Sequence, residues 1–119
     1  MLVKTTNRCA RGCTHCMENS TPAGEHMTWE TFLAALEFTR WVESPYRLAT
    51  GHKSEILLSG GECTEHPDIV KMIAKVYSVG MKPMLITNGS WMADPLLSKS
   101  LLRREWSDLL FQVTYDKRF

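Results

Sequence analysis

Three of the chain's four cysteines fall within eight positions near the N-terminus. Cys9, Cys13 and Cys16 are spaced C-x3-C-x2-C in the segment NRCARGCTHCMEN, residues 7–19. Three thiolates at this spacing on a glycine-containing loop can ligate three corners of a 4Fe–4S cube, which leaves the fourth iron open to a ligand that the protein does not supply. The flanking Arg8 and Arg11 could offset the negative charge of such a cluster.

Two other metal sites are compatible with the same cysteines. A zinc site would add His15 or His26 as the fourth ligand, although zinc sites are usually built from paired C-x2–4-C segments and the chain has no second pair. A closed 4Fe–4S cluster, suited to electron transfer, would use Cys63 instead. A lone cysteine at a strand end is more often a small buried hydrophobic residue, and we favour that interpretation for Cys63.

Four predicted strands are separated by three predicted helices. The first predicted strand, at 2–7, is weak. The second and third, at 55–59 and 83–87, are continuous apolar runs as in buried parallel strands, and the fourth lies at 108–116. Strands separated by helices pair in parallel through right-handed crossovers. The sequence therefore predicts an α/β fold with βα-βα-βα-β order and helices on one or both faces of the sheet. We expect residues 1–119 to form a single domain.

The helix boundaries are predicted from prolines and capping residues. The first helix is expected to end or kink at Pro45, because proline removes a backbone donor and restricts the preceding residue. The second is expected to take Pro67 as its first residue and to stop at Gly80. Asp94 is expected to cap a third helix that starts at Pro95.

The carboxyl ends of the predicted strands carry the unusual residues. After the cysteine segment come SGGE at 59–62, TNGS at 87–90 and TYD at 114–116. Binding sites of parallel α/β sheets form at the carboxyl ends of the strands. We therefore expect these segments to meet at one rim of the sheet.

These motifs resemble those of the radical SAM (S-adenosylmethionine) enzymes. CARGCTHC is similar to the family's C-x3-C-x2-C signature, with His15 as the aromatic-type residue before the last cysteine. SGGE resembles the family's GGE motif, while ITNGS at 86–90 and QVTYD at 112–116 resemble the ends of its third and fourth strands. The resemblance implies a partial (β/α)6 barrel, of which this chain corresponds to the first half.

The resemblance also implies a mechanism. Cys9, Cys13 and Cys16 would hold a 4Fe–4S cluster whose open iron binds S-adenosylmethionine through its amino and carboxylate groups. One electron from the cluster would cleave the sulfonium to methionine and a 5′-deoxyadenosyl radical that abstracts a substrate hydrogen. The electron would come from a low-potential donor such as flavodoxin or ferredoxin, and the substrate stays unidentified.

Further residues acquire expected roles from the same resemblance. Gly60, Gly61 and Glu62 would help to hold the methionine amino group, since glycines permit close backbone approach and a carboxylate suits an ammonium donor. Polar residues at the next two strand ends are candidate contacts to cofactor or substrate, or else serve turns and packing: Thr87, Asn88, Thr114 and Asp116.

The composition sets few limits on function. A formal net charge of +1 gives no sign of the strongly basic face of a dedicated nucleic-acid binder. The N-terminus lacks the apolar core of a signal peptide, and no apolar run approaches the roughly 18 residues that span a bilayer. We therefore expect a cytoplasmic protein without a membrane partner. In a reducing cytosol, clustered cysteines are more often metal ligands or redox groups than disulfides.

The resemblance covers strands up to the fourth. The later family elements that contact the adenine and ribose have no counterpart in these 119 residues, so the fourth strand is expected to have an unpaired edge. The sequence could be part of a longer chain, a compact member that completes its site as a homodimer, or a binding module. We expect the 119-residue chain to self-associate or to need further sequence.

Overall fold

The computed structural model describes residues 1–8 and 24–113 as a four-stranded sheet with helices packed against it. The predicted α/β class and βα-βα-βα-β order are confirmed. The strands are β1 (Leu2–Thr6), β2 (Glu55–Gly60), β3 (Lys82–Thr87) and β4 (Leu110–Val113). The helices are α1 (Trp29–Thr50), α2 (Ile69–Ser78) and α3 (Pro95–Leu101), with short 3₁₀ turns at Cys63–Glu65, Ser90–Ala93 and Arg104–Trp106.

The four strands are parallel and lie in chain order, β1-β2-β3-β4. With right-handed crossovers, this sequential order places the crossover helices on the same face of the sheet. Residues on that face are fully buried, as Ile56, Leu58 and Leu85 illustrate. Leu57 and Met84, which are paired across β2 and β3, point to the other face and are only partly buried. One covered face and one open face are what the first strands of a barrel require.

Helix α1 continues past the proline that was predicted to end or kink it. Thr28 caps its start, since the hydroxyl accepts a hydrogen bond from an amide of the first turn. Of the two outcomes predicted at Pro45, the end is wrong, because α1 extends to Thr50, and the kink stays a prediction. Pro45 has no N–H to donate to the carbonyl of Trp41 four residues earlier. The Ser44 hydroxyl donates to that carbonyl instead, at 3.1 Å, so the acceptor keeps a partner and the helix passes the proline.

Helix α2 begins at Ile69, two residues after the predicted start at Pro67, which is therefore wrong. The preceding residues are used by other local structure. A 3₁₀ turn forms at Cys63–Glu65, and the Nδ1 atom of His66 accepts a hydrogen bond from the Asp68 amide at 3.0 Å. The Asp68 amide, which would lie in the first turn of a helix starting at Pro67, is therefore bonded to the His66 side chain.

The end of α2 and the start of α3 follow the sequence predictions. Helix α2 stops at Ser78, and Gly80 adopts a φ of 79° just beyond it. A glycine in this left-handed conformation is a common helix stop. The Asp94 carboxylate caps α3 by accepting hydrogen bonds from the amides of Leu96 at 3.1 Å and Leu97 at 3.2 Å.

Strand β4 is shorter than the predicted strand at 108–116. Asp108 lies before the strand, where its carboxylate accepts a hydrogen bond from the Tyr77 hydroxyl at 2.7 Å. The predicted residues beyond Val113 lie outside the described part of the chain. The described residues share one hydrophobic core, while the single domain over 1–119 stays a prediction.

None of the described helices combines the length and the apolar character needed to cross a membrane. The cytoplasmic location stays a prediction.

Candidate active site

The two ends of the cysteine-bearing segment are held together at the carboxyl end of β1. The Met27 amide donates to the Thr5 carbonyl at 2.8 Å, and the Asn7 amide donates to the Glu25 carbonyl at 2.8 Å. A Cβ at Gly24 would lie 2.3 Å from the carbonyl of Asn7, so the chain returns in direct contact with the strand it left. The predicted metal ligands lie between these ends, outside the described residues: Cys9, Cys13 and Cys16.

The side chain of Thr6 joins the end of β1 to the residues that follow the cysteine segment, Glu25 and His26. Its hydroxyl donates to the Glu25 carbonyl at 3.1 Å, accepts from the Arg8 amide at 2.9 Å, and lies 2.7 Å from Nδ1 of His26. Since the single hydroxyl proton is used on the carbonyl, we assign Nδ1 of His26 as a donor to Thr6. Thr6 is 2% exposed, so this connection is inside the protein.

The SGGE segment packs directly against the backbone of β1. Gly60 has a φ of 146°, and a Cβ at this position would lie 2.3 Å from the Thr6 carbonyl oxygen. Only glycine fits both the dihedral angle and the contact. The Gly61 amide donates to the same carbonyl at 2.8 Å, and the Glu62 amide donates to the Arg8 carbonyl at 2.9 Å. Because Arg8 precedes the first cysteine, the cysteine segment starts in contact with the SGGE segment.

The carboxylate of Glu62 is fully buried and accepts four hydrogen bonds from the chain. Its Oε2 atom accepts from the Thr64 amide at 3.2 Å, from the Thr64 hydroxyl, and from the Thr87 hydroxyl at 2.6 Å. Its Oε1 atom accepts from the Asn88 amide at 2.6 Å. The carboxylate therefore connects the end of β2 with the end of β3.

The end of β3 brings two of the predicted polar residues to the same place. Besides donating to Glu62, the Thr87 hydroxyl accepts from the Gly89 amide at 3.1 Å. The Asn88 side chain accepts from the Ser90 amide at 2.8 Å, which is the turn interaction expected of an Asn-Gly pair. Contacts of these residues with a cofactor stay predictions. The other two predicted contacts lie outside the described residues: Thr114 and Asp116.

The model of the Radical SAM superfamily matches residues 3–110, a span that runs from β1 to the first residue of β4. The chain belongs to the radical SAM superfamily. The resemblance inferred from the cysteine spacing and the SGGE segment is confirmed. No curated protein and no solved structure matches the chain.

The fourth cysteine of this radical SAM chain is buried, as we favoured. Cys63 has no exposed surface, and its Sγ donates to the Ile86 carbonyl at 3.4 Å. Burial raises the pKa of the Cys63 thiol well above its ordinary value, and the neighbouring Glu62 carboxylate raises it further. A buried thiol that donates to a backbone carbonyl is the role that we favoured for Cys63.

Two histidines pack beside the rim in contacts that the sequence did not predict. Nε2 of His66 lies 2.7 Å from the Met27 carbonyl. The centroids of the His26 and His66 imidazole rings are 5.0 Å apart. Burial lowers the pKa of His26, and the neighbouring His66 and Arg8 lower it further. The sequence named His26 only as a possible zinc ligand. No local motif marks these contacts, because they join residues that are 20 and 39 positions apart.

Within residues 1–8 and 24–113, no group of three or more His, Cys, Asp or Glu side chains is placed to hold a metal ion.

Proposed function

We propose that this protein is a radical SAM enzyme whose Cys9, Cys13 and Cys16 bind a 4Fe–4S cluster with one iron open to S-adenosylmethionine. When bound, the cluster and S-adenosylmethionine supply reductive cleavage of the sulfonium to methionine and a 5′-deoxyadenosyl radical, which abstracts hydrogen from an unidentified substrate. The chain's own residues supply the ligands, the close approach of the motifs and the shape of the rim.

The observation that carries this proposal is the hydrogen bond from the Glu62 amide to the Arg8 carbonyl, at 2.9 Å. It brings the start of the cysteine segment against the SGGE segment. A glycine-rich strand end is a weak signal alone, but the contact of SGGE with Arg8, the residue before the first cysteine, supports one shared site at the rim of the parallel sheet. The family match supports the same reading of both motifs.

The donor set fits an open-site cluster. Three thiols lie in one short segment whose ends close at Asn7 and Gly24. The fourth cysteine of the chain is a buried thiol that donates to the Ile86 carbonyl. Arg8 adds positive charge next to the first ligand, and its Nε atom lies 3.5 Å from Glu65. A thiolate-ligated cluster is sensitive to such nearby charge and hydrogen bonding.

Anaerobic reconstitution with iron and sulfide, followed by dithionite and S-adenosylmethionine, tests the proposal. We expect 5′-deoxyadenosine to be released, and the variant Cys13→Ala to release none above background. Cys63→Ala is the matched control, since it removes a cysteine that the proposal does not use; it should keep its cluster. Absence of 5′-deoxyadenosine from a protein that holds its cluster would contradict catalysis.

Spectroscopy separates the alternative metal sites. An open cluster should change its EPR spectrum when S-adenosylmethionine is added, whereas a closed electron-transfer cluster should not. Bound zinc in place of iron, with no brown colour after reconstitution, would favour a zinc-stabilised interaction module.

Two partners belong to the same proposal. The cluster needs electrons from a low-potential donor such as flavodoxin or ferredoxin. A second copy of the chain, or further sequence, would complete the sheet beyond β4, whose residues Leu110 and Val113 are 47% and 46% exposed.

A further inference from the structure

Glu62 is the residue of the SGGE segment whose expected role in ligand binding depends on its side chain. The resemblance implies a carboxylate that receives the ammonium group of a ligand. The Glu62 carboxylate has no exposed surface and already accepts four hydrogen bonds. Three of these donors reach Oε2 and one reaches Oε1, and the lack of exposed surface leaves no open approach to the carboxylate from solvent.

The donors come from two different strand ends. Thr64 lies in the 3₁₀ turn after β2, whereas Thr87 and Asn88 lie at the end of β3. The backbone amide of Glu62 also donates to the Arg8 carbonyl beyond β1, at 2.9 Å. One residue therefore connects the carboxyl ends of three neighbouring strands, and it does so inside the protein.

We infer that Glu62 is a positioning residue: its carboxylate holds the ends of β2 and β3 together while its backbone amide holds the end of β1, and the carboxylate does not contact the ligand bound at this rim. The inference deepens the proposed function and rests on it only for the effect on ligand binding. The effect on the rim itself follows from the buried hydrogen bonds.

The substitution Glu62→Gln tests the role with almost no change of shape. Oε1 faces the Asn88 amide and Oε2 faces the Thr64 amide, and neither backbone N–H can turn into an acceptor. Either orientation of the new amide therefore sets one N–H against another. Since a lost buried hydrogen bond to a charged group is costly, we expect the midpoint of thermal unfolding of the metal-free protein to fall by roughly 10 °C.

Glu65→Gln is the matched control in the same turn. The Glu65 carboxylate lies 3.5 Å from Arg8 and is partly exposed, so its loss should shift the midpoint only slightly. Thr87→Val removes a hydroxyl that donates to the same carboxylate and serves if Glu62→Gln fails to fold. Equal midpoints for Glu62→Gln and Glu65→Gln would overturn the role in the rim, whether or not the protein cleaves S-adenosylmethionine.

Ligand binding separates a positioning residue from a direct contact. At a temperature where the variants are folded, the reconstituted protein is titrated with S-adenosylmethionine and with its analogue that lacks the amino group. We expect Glu62→Gln to raise both dissociation constants by the same factor, about tenfold, and Thr87→Val to raise both as well. Loss of affinity for S-adenosylmethionine alone would mean that the Glu62 carboxylate binds the amino group, and it would overturn the inference.

If the wild-type protein binds neither compound, the proposed function fails. The thermal comparison of Glu62→Gln with Glu65→Gln then still decides whether the carboxylate holds the ends of β2 and β3 together.

Discussion

The ends of β1, β2 and β3 differ from β4 in how they are held. At the first three ends, buried side chains and backbone groups bond across the strands: the Gly61 amide to Thr6, the Glu62 amide to Arg8, and the Glu62 carboxylate to the Asn88 amide. Strand β4 is paired with β3 along its backbone, from Leu110 opposite Met84 to Val113 opposite Thr87. Its residues at 110, 112 and 113 are exposed.

The difference shows where the described fold is complete and where it is open. The connected ends carry the SGGE and TNGS segments, so the proposed chemistry lies where buried hydrogen bonds join neighbouring strands. A site that must hold a ligand in one geometry benefits from such support. Strand β4 has no further strand beside it in the described part of the chain, and an exposed strand edge tends to pair with another chain.

The largest expected effect comes from a change at the connected ends. Gly60→Ala should reduce the free energy of unfolding by more than about 3 kcal/mol, because the new Cβ collides with the Thr6 carbonyl and the φ of 146° is strained for alanine. Urea denaturation of the metal-free protein and of the Gly60→Ala variant measures this loss of free energy of unfolding.

Gly51→Ala is the control for Gly60→Ala. Gly51 also has a positive φ, 71°, but no atom lies within 4 Å of an added Cβ, so its cost should stay near 1 kcal/mol. Equal losses in the two variants would mean that the contact between Gly60 and β1 contributes nothing, and the contrast with β4 would disappear.

The same contrast explains what the sequence could predict. The Asp94 cap and the stop at Gly80 depend on signals within a few residues of each other, and these predictions hold, as does the alternation of strands with helices. The end at Pro45 was wrong because the neighbouring Ser44 hydroxyl supplies the missing donor. Such a rescue depends on a side-chain rotamer that the pattern of residue types does not specify.

The site was predicted as a set of motifs but not as a set of contacts. Parallel pairing alone predicts that the end of β1, where the cysteine segment begins, and SGGE lie at one rim, and the contact between Arg8 and Glu62 agrees with it. The partners of the Glu62 carboxylate could not be predicted in this way, because Thr87 and Asn88 lie 25 and 26 residues away in the sequence. A glutamate that contacts a ligand and a glutamate that holds two strand ends also look the same in the sequence. The burial of Glu62 supports the positioning role that we infer, and burial is a property of the packed structure.

The second expected effect concerns β4. We expect the 119-residue chain to self-associate through this edge, and Leu110→Lys to weaken association several-fold, because a charge on an exposed edge strand opposes pairing. Sedimentation at increasing protein concentration measures the effect. Leu48→Lys is the control, since Leu48 is 87% exposed on α1, away from the edge. If Leu48→Lys weakens association and Leu110→Lys does not, the helix face rather than β4 mediates it.

The smallest expected effect lies at the connected ends, where Thr6 contacts His26. Burial, His66 and Arg8 lower the pKa of His26 from its ordinary 6.5, while Glu65 opposes them. The folded protein thus binds this proton less readily than the unfolded chain. Its stability is unaffected by His26 above pH 6.5 and decreases as the pH falls through 6.5 toward the pKa of the folded state.

Titration of the His26 ring by NMR should give a midpoint below pH 6.5. Because the ring is partly exposed, the loss of stability between pH 7.5 and pH 5 should stay below about 1 kcal/mol. The variant His26→Gln should show a shallower decrease over that range, since it removes the group that gains the proton on unfolding. A midpoint at or above 6.5 would mean that the ring is not enclosed by the ends of β1 and β2, and that the buried network stops at Thr6.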